Sequence, residues 1–427
     1  MRQFRPRRSQ AREPMMNSGS DTDALGRRHK PDYWLFVLSA LLLTIGLVVV
    51  YSISPGLAAS QHISQSYFIT KQLIDVGLGL VAFGLAAYFP LKQWLKFTTP
   101  LALAAIAGCL IVMVTPIDQV YQAHRWIRLG GFSFQIAELV KLALLLWLAR
   151  FLTDKWRSGK LAEPRSVLQP LLILLIAIGV VVAKFESDLG SAGVMISMMA
   201  LMAYNAGLPM KRIALIGGAV ALLLVVTIFS TSYRRDRLAS FLHPGNNCQS
   251  TSYQACQALI SVGSGGLFGQ GLGYGVQAYG YLPEASNDSI FAIMAEKFGF
   301  IGTTLIVLLY GLFIRRLKNI IEHTADRVSR LLVVGVLAWL STQMIINIGA
   351  MLGLLPLKGI TLPLISQGGT SLVFLTAALG LVYQISRYTS YNEVELNYQN
   401  EKVINYSFNG RRLGGAHNPS AVARPRT

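Results

Sequence analysis

Charge is scarce in this chain. Only 14% of its 427 residues are Asp, Glu, Lys or Arg, a composition foreign to a water-soluble globule and normal for a membrane protein. Cysteine is scarcer, with Cys109, Cys248 and Cys256 alone, and the six histidines form no cluster, so no Cys/His metal spacing exists. There is no Gly-x-Ser-x-Gly nucleophile elbow. The Gly-rich run Gly263 to Gly275 lacks both a preceding soluble strand and a Walker lysine, which excludes ATP or NAD binding. No internal repeat marks an inverted-repeat transporter. No cleavable signal peptide is visible, because the first apolar run begins at Tyr33 and is long enough to span.

What is abundant is apolar surface: 53% hydrophobic residues and a mean hydropathy of +0.47. Apolar runs of about 20 residues recur, the length needed to cross a bilayer as helix. They predict an all-α polytopic protein with ten spans, near Tyr33–Ser54, Ile69–Pro90, Thr98–Pro116, Gln135–Leu152, Leu168–Lys184, Gly190–Tyr204, Ile213–Ser230, Ser289–Ile314, Leu331–Leu355 and Thr370–Ile385. An even number puts both termini on one side. Basic residues then fix which side, since Lys and Arg of short loops stay cytoplasmic. With the termini inside, 28 of the 38 Lys and Arg lie in the tails and inner loops and 8 outside, while Lys141 and Lys297 fall within spans. The net charge of +18 is therefore a topology and anionic-lipid signal, not a nucleic-acid one. Residues 1–32 and 389–427 are too polar to bury a core and read as flexible cytoplasmic tails around a membrane domain, 33–388.

The large extracytoplasmic loop, 231–287, joins the seventh and eighth spans. It carries Arg234, Arg235 and Arg237, against the inside-positive trend. Two readings apply: headgroup anchoring, or a phosphate clamp built on the planar guanidinium fork. Arg125 adds a fourth outer cation. Cys248 and Cys256, eight apart, are either a disulfide or a pair of surface thiols, and their spacing does not decide which. The glycines of the Gly263–Gly275 run allow close approach to lipid headgroups or a re-entrant turn buried in protein.

Few carboxylates sit near the membrane, so each is informative. Lys71 with Asp75, and Glu138 with Lys141, are spaced to share a helix face and neutralise one another. Glu284 and Asp288 stand where the polar loop becomes the eighth span. Asp288 has two compatible readings, a helix N-cap and a reactive carboxylate. Without a His, Cys or Ser site, catalysis has to run on carboxylates and arginines.

A set of motifs carries a resemblance: Arg125-Trp-Ile127 with Gln135-x-x-Glu138-Leu-x-Lys141; Asp188-Leu-Gly190; Tyr253-Gln-x-x-Gln257 running into Gly263-Ser-Gly-Gly266; Leu282-Pro-Glu-Ala285 with Asp288-x-Ile-Phe291; and Asn347-Ile-Gly349 through Leu354-Leu-Pro356 to Ser366-x-Gly-Gly369. In this order, over Tyr33 to Tyr388, the chain resembles the SEDS family of polytopic peptidoglycan glycosyltransferases, which includes FtsW and RodA. It departs from that pattern at Ile136, Ser187, Asn287, Ser289 and Gln367.

The resemblance implies polymerisation of lipid II on the outer face of the bacterial cytoplasmic membrane. A sugar hydroxyl attacks the anomeric carbon of an undecaprenyl-linked glycan and undecaprenyl pyrophosphate leaves. It gives Asp288 the role of general base and makes Arg125, Arg234, Arg235 and Arg237 candidates for diphosphate contacts. Asp188 and Glu284 would orient these arginines or help hold a divalent cation, Mg or Mn; no cofactor is otherwise implied. Gln257 and Ser366 are further substrate-binding candidates. Pro283-Glu-Ala285, Ile360-Thr-Leu-Pro363 and the Arg-rich tail favour the FtsW-type, septal branch over the RodA-type branch. Expected partners are membrane lipids, a class B penicillin-binding protein that cross-links the product, and other divisome proteins. A lipid II flippase is the rival reading; most ionisable residues of the membrane region without an obvious topological role cluster on the outer side, and the mid-span charges can pair locally, which favours the enzyme.

Overall fold

The structure is a computed structural model that describes residues 30–114, 126–129, 132–179, 188–229, 235, 239, 241–242, 248–249 and 252–389. Both expected tails lie outside them except at 30–32 and Thr389. Twelve α-helices are described: α1 Tyr33–Gln61, α2 Tyr67–Tyr88, α3 Leu91–Lys96, α4 Thr98–Val114, α5 Ile136–Arg157, α6 Gln169–Ile178, α7 Leu189–Asn205, α8 Met210–Phe229, α9 Tyr253–Ser264, α10 Ile290–His323, α11 Arg327–Met351 and α12 Gly369–Ile385. Each of the ten expected spans overlaps one of these helices, though residues 115–116, 180–184 and 230 of three of them lie outside the described residues. The protein is an all-helical polytopic membrane protein, and α1, α2, α10, α11 and the Gly369–Tyr388 stretch are each long and apolar enough to cross a bilayer.

Burial supports that reading. α1 buries Leu35, Leu42, Val49 and Ile53 while Trp34, Val37, Leu41 and Val48 stay exposed. A helix apolar on both its packed and its open face is suited to lipid rather than water. α1 also runs beyond its expected end at Ser54, passing through Pro55 to stop at His62 in the left-handed conformation. Pro55 costs one backbone bond inside the helix, a loss membrane helices tolerate.

The ends of the bundle meet. Asp32 caps α1 by accepting from the Trp34 N–H at 3.1 Å, pairs with Arg316 of α10, and donates its own N–H to Ser386 Oγ at 3.0 Å. The first helix thus begins beside the point where the last one ends. α12 lies along α2, where a side chain on Gly79 would strike Leu372 and one on Gly380 the Phe83 carbonyl; small residues let the two backbones approach. α11 packs on α5 and α7 around the fully buried Trp339.

Two features depart from a plain set of spans. Trp126–Leu129 and Phe132–Gln135 form an antiparallel hairpin leading into α5, with Trp126 opposite Gln135. And α10 is broken inside the membrane segment at Gly299, whose φ of +65° and ψ of −166° no helix contains.

Candidate active site

The site assembles around the turn before α10. Glu284 takes a left-handed φ of +52°, and its carbonyl accepts from the N–H groups of Asn287 (2.9 Å) and Ser289 (3.2 Å). That closes the turn and presents Asp288, half-buried, at the head of α10. Ser289, not Asp288, occupies the N-cap position, so capping is not what holds Asp288 there. Its main chain is held by Asn347 of α11, fully buried at 1% exposure, whose amide nitrogen donates to the carbonyls of Asp288 and Ile360, both at 2.7 Å. An amide has two N–H donors, and here each serves a different strand of the site.

Further bonds tie the loop 354–368 and helix α9 to the same turn. The Gln367 N–H donates to Ser286 O at 2.9 Å, and its side chain reaches the Phe68 carbonyl at 2.8 Å. Gln254 donates to Ser289 Oγ at 3.2 Å. Ser366 is buried and its hydroxyl accepts from the Leu362 N–H at 2.7 Å, which makes it a brace of the loop. Gln257 lies half-buried one turn beyond Gln254; it is Gln254 that the fold brings to the Asp288 turn.

Asp188 is buried at the start of α7, with one oxygen accepting from the Ser191 N–H (2.9 Å) and the other from the Gln135 side chain (3.0 Å). Gln135 in turn donates its N–H to Thr370 Oγ1 at 3.3 Å. Gly190 lies under the 358–360 segment, where a side chain would strike Ile360 and come within 3.4 Å of Lys358 Cβ. Ile360, held by Asn347, therefore spans from the helix that Asp188 caps to the turn that carries Asp288. Glu284 is exposed and its carboxylate accepts from the Asn287 side chain.

Of the expected arginine cluster, Arg235 is exposed, while Arg125, Arg234 and Arg237 lie outside the described residues. Among the described residues no three His, Cys, Asp or Glu side chains gather as a metal site. Asp188 has both oxygens engaged in hydrogen bonds, and Glu284 has a side-chain donor of its own in Asn287.

The intramembrane charges resolve differently. Lys141 Nζ meets Glu138 Oε1 at 2.7 Å, both buried, with Lys141 also 5.2 Å from the Trp339 ring centroid. Lys71 and Asp75 do not form the expected ion pair among the described residues. Lys71 still acts on Asp75 electrostatically, and the Asp75 carboxylate also accepts from the Gly369 N–H at the start of α12, where a helix N-terminus offers unpaired donors. Cys248 and Cys256 are joined in a disulfide, Cα to Cα 5.6 Å, which decides between the two readings of that pair.

The model of a family described as cell cycle proteins, comprising FtsW, RodA and SpoVE, matches residues 33–391. The chain belongs to this family. Among FtsW/RodA/SpoVE relatives it is 34% identical to stage V sporulation protein E of Bacillus subtilis, over 86% of this chain and 99% of that one. It is 38% identical to a probable peptidoglycan glycosyltransferase FtsW of Thioalkalivibrio sulfidiphilus, over 82% and 87%. The Thermus thermophilus rod shape determining protein RodA superposes with a TM-score of 0.61 at 26% identity, covering 85% of this chain and 98% of RodA. A chain from a peptidoglycan synthase complex that coordinates polymerization and crosslinking gives 0.67 at 26%, covering 84% and 98%. Of the positions that depart from the family pattern, Asn287 and Ser289 make side-chain bonds within or onto the Asp288 turn, whereas Gln367 meets it through its main-chain N–H and sends its side chain to the Phe68 carbonyl of α2.

Proposed function

We propose that this protein polymerises lipid II into glycan strands on the outer face of the bacterial cytoplasmic membrane, acting in division, with Asp288 as general base. Family membership and relatives described as probable peptidoglycan glycosyltransferases support the reaction class. The observation that carries the choice of base is the contrast among three carboxylates. Asp188 is fully buried and Glu284 lies exposed on the surface of the turn, whereas Asp288 is half-buried, with Ser289 Oγ donating to its Oδ1 at 3.4 Å, on a turn whose backbone is fixed by Asn347. A general base needs reach and fixed orientation together.

The chemistry suits one carboxylate. Hydrolysis of a glycosidic bond needs an acid for its poor leaving group, but a pyrophosphate departs unprotonated when cations receive its charge. Arg125, Arg234, Arg235 and Arg237 supply those cations in this reading, and the base takes the proton of the attacking sugar hydroxyl. Asp188 acts through the backbone it caps.

Both termini are assigned to the cytoplasm. The Lys and Arg distribution supports this, as does the Asp32 to Ser386 contact that brings the two ends of the bundle together. A disulfide in the loop after α8 fits an oxidising, extracytoplasmic side. A class B penicillin-binding protein is the proposed partner, supported by the likeness to a chain of a synthase complex. The deciding experiment supplies lipid II to the purified protein with that partner in detergent, where flipping has no meaning. Glycan chains are expected; intact lipid II would refute the assignment.

A further inference from the structure

The segment between the disulfide and the Asp288 turn has a composition no water-exposed loop of its length needs. From Leu238 to Pro283 there is no Asp, Glu, Lys or Arg. Within it, Leu267, Phe268, Tyr274 and Val276 project outward, with Phe268 80% and Tyr274 75% exposed. A large apolar patch left open marks something other than water as its neighbour.

Much of the backbone of this segment is bonded within the protein. At the Gly299 break, α10 frees carbonyls on one side and N–H groups on the other. Glu296 O and Lys297 O accept from Gln270 N–H (2.9 Å) and Gly271 N–H (3.0 Å), while Phe300 N–H and Ile301 N–H donate to Gly266 O (2.9 Å) and Leu267 O (3.1 Å). The side chains at the break complete the set. Glu296 Oε1 accepts from the N–H groups of Val276 (2.9 Å) and Gln277 (3.3 Å), and Lys297 Nζ donates to the carbonyls of Leu272 (2.8 Å) and Tyr274 (3.2 Å). Close approach demands glycine: a side-chain carbon on Gly265 or Gly269 would overlap the Ala295 and Lys297 carbonyl oxygens. Irregular backbone survives in a bilayer only when its polar groups find protein partners, and the groups freed at the break find theirs in this loop.

The patch is also continuous with a face that lipid already covers in the span reading. Phe300 and Ile301, which bond the loop, are themselves exposed, and Leu305, Leu308 and Leu312 continue the same open apolar surface along α10. We infer that residues 265–277 form a re-entrant wedge whose outward side chains, Leu267, Phe268, Tyr274 and Val276, lie in the bilayer at the boundary of headgroups and acyl chains, locked there by Glu296 and Lys297. The occupant of the patch is phospholipid. Tyr and Phe suit that depth, since their rings are apolar with, for Tyr, a polar tip. The proposal rests on the functional reading only for the choice of leaflet, the outer one.

Spin labels on Phe268→Cys and Tyr274→Cys, in the full chain reconstituted in phosphatidylglycerol/phosphatidylethanolamine vesicles, test it. Gln65→Cys in the turn between α1 and α2 is the aqueous control. Both substituted wedge residues are exposed, so neither change removes packing. At 268 and 274 collision with dissolved oxygen should exceed collision with a water-soluble nickel chelate, and at 65 the order should reverse. Nickel access at 268 and 274 equal to that at 65 would place the loop in water. Protection from both reagents would place it against protein. Either result overturns the proposal, and neither depends on whether the protein polymerises lipid II.

Discussion

Asn347 donates through its side-chain amide to the main-chain carbonyl of Asp288, 59 residues away in sequence, at 2.7 Å. The same nitrogen bonds Ile360 O, so one buried side chain sets the spacing between the reactive turn and the segment lying over α7. Backbone fixed in this way holds a partly exposed carboxylate at a defined place beside α10.

Replacing Asp288 by Asn removes the proton acceptor and keeps the shape. Polymerisation of lipid II should fall by about 10² to 10⁴, the range for loss of a positioned base. Because Ser289 holds the N-cap position, thermal stability and partner binding should stay close to those of the parent. An Asn variant with parental turnover would pass the role to Glu284.

Asn347→Leu leaves the Asp288 and Ile360 carbonyls buried without these donors, at about 1–3 kcal/mol for each group left unsatisfied. A lower midpoint in a thermal-shift assay should accompany loss of polymerisation, with lipid II still bound. An unchanged midpoint would show that the turn does not depend on this bridge.

For the buried Glu138–Lys141 pair, Lys141→Met alone should destabilise by about 3–5 kcal/mol, since it leaves an uncompensated carboxylate in the bundle. Glu138→Gln combined with Lys141→Met should recover most of that loss. A double variant no better than the single one would mean that the ion pair is not what the two residues contribute.

Arg125→Ala and Arg237→Ala should each weaken lipid II binding and polymerisation while leaving insertion intact, because a diphosphate loses charge-assisted bonds. Lys at either position should rescue only in part, lacking the planar fork. Parental rates in both Ala variants would favour headgroup anchoring.

Cysteines introduced at Gln122 and Thr251 should react with an impermeant thiol reagent in intact cells, and those at Gly159 and Ser420 only after the cells are opened. Outside labelling of Gly159 would overturn the ten-span orientation drawn from 28 against 8 basic residues.

Apolar run length and motif order, both local in sequence, determined the helical membrane class and the family. A bilayer admits few ways to satisfy a backbone, so hydropathy maps onto helices almost directly. Pairing at i, i+3 was equally legible for Glu138 and Lys141 because one helix turn brings them together. Asp75 had the same kind of local partner in Lys71, which acts on it through space, but its bond to Gly369 was not legible, because that N–H is free only where α12 begins. The disulfide, the bond from Gln254 rather than Gln257, the Asn347 bridge and the break at Gly299 were likewise settled by tertiary structure. Each joins groups on different elements, and which buried donor meets which acceptor depends on how those elements pack, which no single stretch of sequence encodes.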